Sequence, residues 1–205
     1  MTHALTILGI QWLLGTVFLI SAVSKMAGRQ AFAAFADSVR AMANMPARAR
    51  SARPVSVAVV TAECAVCALF AVSGLLSLYG RVSSSQSSAT AARLATSAGA
   101  ALAATLLVAF AIAIVRTVRR GARTPCRCFG ASAAPLGPRH VVRNAVLAGL
   151  AVYGAVLPVS GAPLPYVPLA HTAVAAMAGL LLGGLAALLD ELVALFRPLR
   201  SSGTA

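Results

Sequence analysis

Five apolar stretches dominate this chain, at about residues 4–24, 55–79, 94–115, 141–157 and 169–189. A helix needs about 20 apolar residues to cross roughly 30 Å of hydrocarbon, and only a helix satisfies its own backbone polar groups there. Composition agrees, with 60% of the 205 residues hydrophobic and 10% charged. Soluble domains carry about 45–50% and 25% respectively. The mean hydropathy of +0.88 excludes disorder, which needs low hydrophobicity. The expected fold class is all-α: a polytopic transmembrane helical bundle of about five spans, a four-helix core plus one. It forms a single integral membrane domain over residues 1–205, with no internal repeat. Met1, Thr2 and His3 lack the basic region of a secretory signal and the first stretch is too long for one, so it is read as a retained span.

Seventeen Lys and Arg against four Asp and Glu give a net charge of +13. Such a balance suits a nucleic-acid binder until the charges are placed. Six follow the first span (Lys25, Arg29, Arg40, Arg48, Arg50, Arg53), seven cluster around the joint between the third and fourth spans, and Arg197 and Arg200 lie in the tail. Only Arg81 and Arg93 fall on the other side. The positive-inside rule therefore predicts an outside N-terminus and a cytoplasmic C-terminal tail over residues 190–205, and the expected location is the plasma membrane. The expected partner of this charge is the lipid bilayer with its anionic headgroups, not nucleic acid.

Between the spans, residues 30–45 place Phe32, Phe35, Val39 and Met42 at helical spacing, which predicts a short amphipathic helix at the membrane surface. The Ser-rich residues 81–93 read as a flexible loop, and residues 158–168, with four prolines, as a surface hairpin. Gly179 and Gly183, four apart, suit close approach of another helix. Trp12 lies too deep for an interfacial anchor and is expected to pack between helices, while His3 and His171 are expected at the outer interface.

The sharpest chemical feature is Cys126-Arg127-Cys128, embedded among arginines that favour the reactive thiolate. A disulfide between residues two apart closes a strained ring and is easily reduced, as suits a working redox pair. Two incidental small residues in a loop are the alternative. Glu63 is the only acid inside a span, with Lys25 and Arg143 as candidate partners, either in a structural ion pair or in proton handling. Beside it, Cys64 and Cys67 share one helical face, either as a thiol relay or simply as small apolar packing residues. His140 with the two loop cysteines offers three soft or borderline ligands, but the spacing matches no standard zinc pattern, so no metal and no cofactor is expected.

In order and spacing, Ser24-Lys25, Glu63, Pro125-Cys126-Arg127-Cys128-Phe129-Gly130 and Arg143-Asn144 resemble the MauE family, named for methylamine utilisation and related to DoxX-like membrane proteins. The family pattern is typically Cys-Gly-Cys-Phe-Gly followed by an Arg-Asn pair; here Arg127 replaces the middle glycine, stiffening the turn and placing a cation between the sulfurs. The resemblance extends from Ile7 to Leu189. It implies a membrane bundle assisting thiol chemistry alongside a thioredoxin-like partner, as in maturation of the disulfide-rich small subunit of methylamine dehydrogenase. It further implies that Cys126 and Cys128 are the redox pair, that Glu63 and Arg143 line the bundle, and that Asn144 orients the loop or the thiol. The leading expectation is a membrane thiol–disulfide transfer protein. A non-catalytic assembly scaffold and a small transporter or metal handler are the alternatives.

Overall fold

Each apolar stretch is helical in the computed structural model, which describes residues 2–44, 52–83, 85–121, 138–159 and 168–195. The helices are α1 (Thr2–Met26), α2 (Arg29–Met42), α3 (Ala52–Ser83), α4 (Gln86–Arg119), α5 (Pro138–Val156, closed by a 3-10 turn at Leu157–Val159) and α6 (Leu169–Leu195). There is no β-strand among the described residues. The expected hairpin at residues 158–168 lies almost wholly outside them.

Four of these helices, α1, α3, α4 and α6, are long and apolar enough to cross a membrane alone. α5 falls short because Arg139, His140, Arg143 and Asn144 crowd its first two turns. It is nevertheless packed along α4 as closely as α3 is. His140 and Asn144 are turned inward, and Val142, Val146 and Val152 face out. Average hydropathy therefore understates α5, since His140 and Asn144 are buried within the bundle and, of these four, only Arg139 and Arg143 stay partly exposed.

Leu14 and Phe18 of α1, Val66 and Phe70 of α3, Leu107 and Phe110 of α4 and Leu147 and Ala151 of α5 make one core. This is the four-helix core, and α6 lies outside it against α1. That contact depends on two glycines. A Cβ on Gly179 would come within 2.5 Å of the Gly9 carbonyl oxygen, and one on Gly183 within 2.6 Å of the Leu13 carbonyl oxygen. Between apolar helices in lipid, such close backbone approach is a main source of attraction, since lipid tails are as apolar as leucine. Trp12 departs from expectation. Its Cβ touches the Gly179 position, yet the residue is 44% exposed, so its ring lies at the outer edge of the α1–α6 seam.

The Ser-rich segment also corrects the sequence reading. α3 continues to Ser83 and α4 starts at Gln86, leaving almost no loop. Ser85 caps α4 by accepting from the Ser88 backbone N–H at 3.5 Å, and the alanines that follow favour helix. The two helices are zipped together by the Ser73–Thr96 hydroxyl pair at 2.6 Å and by Gly99, against which the Phe70 ring packs.

Gly183→Leu is expected to lower the unfolding midpoint of the detergent-solubilised protein, at a cost of about 1–3 kcal/mol for overpacking. Gly184→Leu, where an added Cβ meets nothing within 4 Å, should leave it nearly unchanged. Equal effects from the two would remove the close α1–α6 contact from the account.

Candidate functional site

The inward faces of the core helices are not apolar along their whole length. On α1 the buried stripe Ile7, Ile10, Leu14, Val17 continues as Ser21 and Lys25. On α3 it includes Ser56 and Glu63 ahead of Val66 and Phe70, and on α5 it opens with His140 and Asn144 before Leu147. The α4 stripe Leu107, Phe110, Ile114 ends at Thr117. All these polar residues lie toward one end of the bundle, where α1 and α4 finish and α3 and α5 begin. The buried charges thus sit at that end, while among the described residues the opposite half of the bundle buries only hydroxyls, including the Ser73–Thr96 pair.

Lys25 and Glu63 meet there. Lys25 Nζ is 2.5 Å from Glu63 Oε1, with the side chains 2% and 0% exposed. Ser21 completes a triad: its Oγ accepts from Lys25 Nζ at 2.6 Å and donates to Glu63 Oε1 at 2.9 Å. One helical turn separates Ser21 from Lys25, so α1 presents both groups to a single carboxylate oxygen. The Phe35 and Phe110 ring centroids lie 4.8 and 5.8 Å from the ammonium, adding cation–π attraction from α2 and α4. Glu63 Oε2 has no hydrogen-bond partner among the described residues. The triad holds an acid, a base and a bridging hydroxyl away from water, the equipment for keeping one proton at a defined place.

α2 closes the cluster. The chain reverses at Gly28, whose φ of 149° is open only to glycine, and α2 then lays Phe35, Val39 and Met42 against the bundle end. The amphipathic face expected at the membrane surface is therefore spent on protein. Arg120 Nη2 fastens the far end of α2 by donating to the Met42 carbonyl at 3.3 Å.

Of the two partners expected for Glu63, Lys25 supplies the ion pair, while Arg143 Nη1 donates to the Ala186 carbonyl of α6 at 3.4 Å. Asn144 is fully buried, and its amide atoms have no hydrogen-bond partner among the described residues. Cys64 and Cys67 are free thiols, both half-buried, and the Cys67 sulfur lies 4.0 Å from the Gly15 carbonyl oxygen of α1. Cys126 and Cys128 fall outside the described residues, in the segment between Gly121 and Pro138. Both described ends of that segment stand at the polar end of the bundle.

Sequence reasoning missed Ser21, Gln11, whose Nε2 donates to the Phe70 carbonyl at 3.0 Å, and the contact of Phe35 with Lys25. The signal for Ser21 was available: it lies four residues before Lys25, on the same face. Nothing in the sequence marks the Phe35–Lys25 contact, because it joins two helices across the Gly28 turn.

The chain matches the family described as "Methylamine utilisation protein MauE" over residues 2–157. It belongs to the MauE family. No curated protein and no solved structure matches it. The MauE match takes in α1 to α5, with the polar end and the Cys126-x-Cys128 segment, and stops short of α6, so the resemblance extended to Leu189 is matched only to residue 157. This MauE-family protein is a multi-pass membrane protein.

Breaking the pair from one side, as in Glu63→Gln or Lys25→Met, is expected to cost about 3–5 kcal/mol because a buried charge loses its partner. The double variant Lys25→Met/Glu63→Leu should recover most of that loss in detergent unfolding. A double variant whose loss equals the two single losses added together would show that the residues act independently.

Proposed function

We propose that this MauE-family protein carries out thiol–disulfide exchange at the polar end of its bundle, assisting maturation of a partner protein, with Cys126 and Cys128 as the redox pair. The observation that carries this reading is the place of the Cys126-x-Cys128 sequence in the chain. It joins α4 to α5 between Arg119 and Arg139, at the end where the core turns polar. The distribution of basic residues supports a cytoplasmic position for that end in the plasma membrane, with the N-terminus outside and the C-terminus in the cytoplasm.

The exchange balances with a thioredoxin-like dithiol as donor. One of its thiolates attacks a sulfur of the Cys126–Cys128 disulfide, forming a mixed disulfide and releasing the other cysteine as a thiolate that takes up a proton. The donor's second thiolate resolves the mixed disulfide and leaves as the oxidised partner, two electrons having passed to Cys126 and Cys128. A disulfide of the client reoxidises the pair by the same two steps in reverse. Cys64 and Cys67, near the middle of α3, are proposed as the relay when the client lies across the bilayer. Glu63 with Lys25 holds α1 and α3 in place beneath the exchange, and Arg143 and Asn144 position the start of α5, which the cysteine segment enters. Maturation of a disulfide-rich amine dehydrogenase subunit is the client role that family membership suggests.

One observation favours the scaffold reading: the Lys25 and Glu63 side chains are only 2% and 0% exposed, as in a purely structural clamp. Thiol labelling with permeant and impermeant maleimides, before and after reduction, separates the two. Exchange predicts that Cys126 and Cys128 are partly oxidised in cells and that Cys128→Ser traps a mixed disulfide. The same labelling tests the orientation: the charge bias predicts that the impermeant reagent misses Cys126 in intact cells. A pair that stays fully reduced, with Cys126→Ser/Cys128→Ser retaining function, leaves the scaffold.

A further inference from the structure

Between the end of α1, the whole inner edge of α2 and the start of α3 lies an open groove of about 940 Å³. Its lining combines Lys25, Arg29, Arg40 and Arg53 with the apolar side chains of Met26 and Phe32. Both carboxylates that could neutralise these cations are already engaged. Glu63 is paired with Lys25, and Asp37 with Arg40 at 2.5 Å. Among the described side chains, no further carboxylate lines the groove. Arg29 and Arg53, both exposed, are therefore left as an excess of positive charge facing one groove.

The apolar part of the groove is not isolated. Leu19, Val23 and Met26 are each more than half exposed, and their spacing of four and three puts them on one outward face of α1. That exposed apolar face meets the groove at Met26, which belongs to both. A hydrocarbon chain following it toward the bundle end arrives between Met26 and Phe32, with the arginines just beyond. A molecule that is apolar over a long segment and anionic at one end matches the order of these surfaces.

We propose that this groove binds one anionic glycerophospholipid, its phosphate held by Arg29 and Arg53 and one acyl chain laid along Met26, Val23 and Leu19. The site is separate from the thiol–disulfide reading and stands or falls independently of it. Guanidinium groups suit the task because their planar donors meet phosphate oxygens in pairs. Asp37 acts in this arrangement as a limiter, holding Arg40 away from the headgroup.

The test is a titration of the detergent-solubilised full chain with phosphatidylglycerol or phosphatidylcholine, followed by native mass spectrometry. Phosphatidylglycerol is expected to bind more tightly, and Arg29→Gln and Arg53→Gln should each weaken it about fivefold. The double variant should fall to the phosphatidylcholine level, whereas Arg93→Gln, at the opposite end, should change nothing. Asp37→Asn, which releases Arg40, should tighten phosphatidylglycerol binding, a gain that misfolding cannot produce. Equal binding of the two lipids, or an Arg29→Gln/Arg53→Gln double variant that keeps the preference, overturns the site. Competition by inorganic phosphate at concentrations matching the lipid also overturns it, since the groove would then take a free anion.

Discussion

A lysine and a glutamate sealed inside an apolar bundle set the conditions for everything packed around them. Removing two ions from water costs several kcal/mol each, of order, and their attraction offsets this only with close geometry and further polar partners. Ser21 is such a partner on the same helix face as Lys25, and the Phe35 and Phe110 rings cover the ammonium. The pair joins α1 to α3 at a fixed height. It obliges the chain to turn at Gly28 so that α2 can cover the cluster, and it draws α4 in through Phe110. Loss of either charge would leave the other stranded beneath α2.

The same end of the bundle also buries Thr117 of α4 and His140 and Asn144 of α5, while Ser73, Ser88 and Thr96 bury only hydroxyls at the other end. Polar residues inside a membrane protein are expensive to bury, and their concentration at one end suits a place where chemistry meets a rigid base. The segment with Cys126 and Cys128 leaves and re-enters the bundle there. The rest of the core, from Leu14 and Phe70 to Ala100 and Ala103, is small, apolar and tightly packed. The gathering of the buried ion pair, His140 and Asn144 at one end underlies the functional reading more than any single residue does.

Much of the site was legible because ions within spans are rare. Glu63 was the only acid in any span, which left Lys25 and Arg143 as partners, and geometry selected Lys25. The glycine pair at 179 and 183 was legible for a similar reason, since small residues four apart leave one groove on a helix. Residues 81–93 were misread because serine density was taken as a sign of loop, although a capping serine followed by alanines is equally a helix start. The apolar face of α2 was recognised, but its destination was not: a surface helix and a covering helix have the same periodicity.

Taken alone, the sequence determined that this is a helical membrane protein, roughly where its spans lie, and that one buried acid needs a cation. These follow from local properties: the length of an apolar run and the cost of an unpaired charge in hydrocarbon. Only the tertiary structure decided which faces meet, that α5 turns His140 and Asn144 inward, that Trp12 stays at the seam's outer edge, and that α2 folds over Lys25. The physical reason is the solvent. In water a helix shows which side is buried by being apolar on that side alone. In lipid both sides are apolar, so the inward face is marked only by small residues and sparse polar groups, whose partners become visible when the helices are assembled.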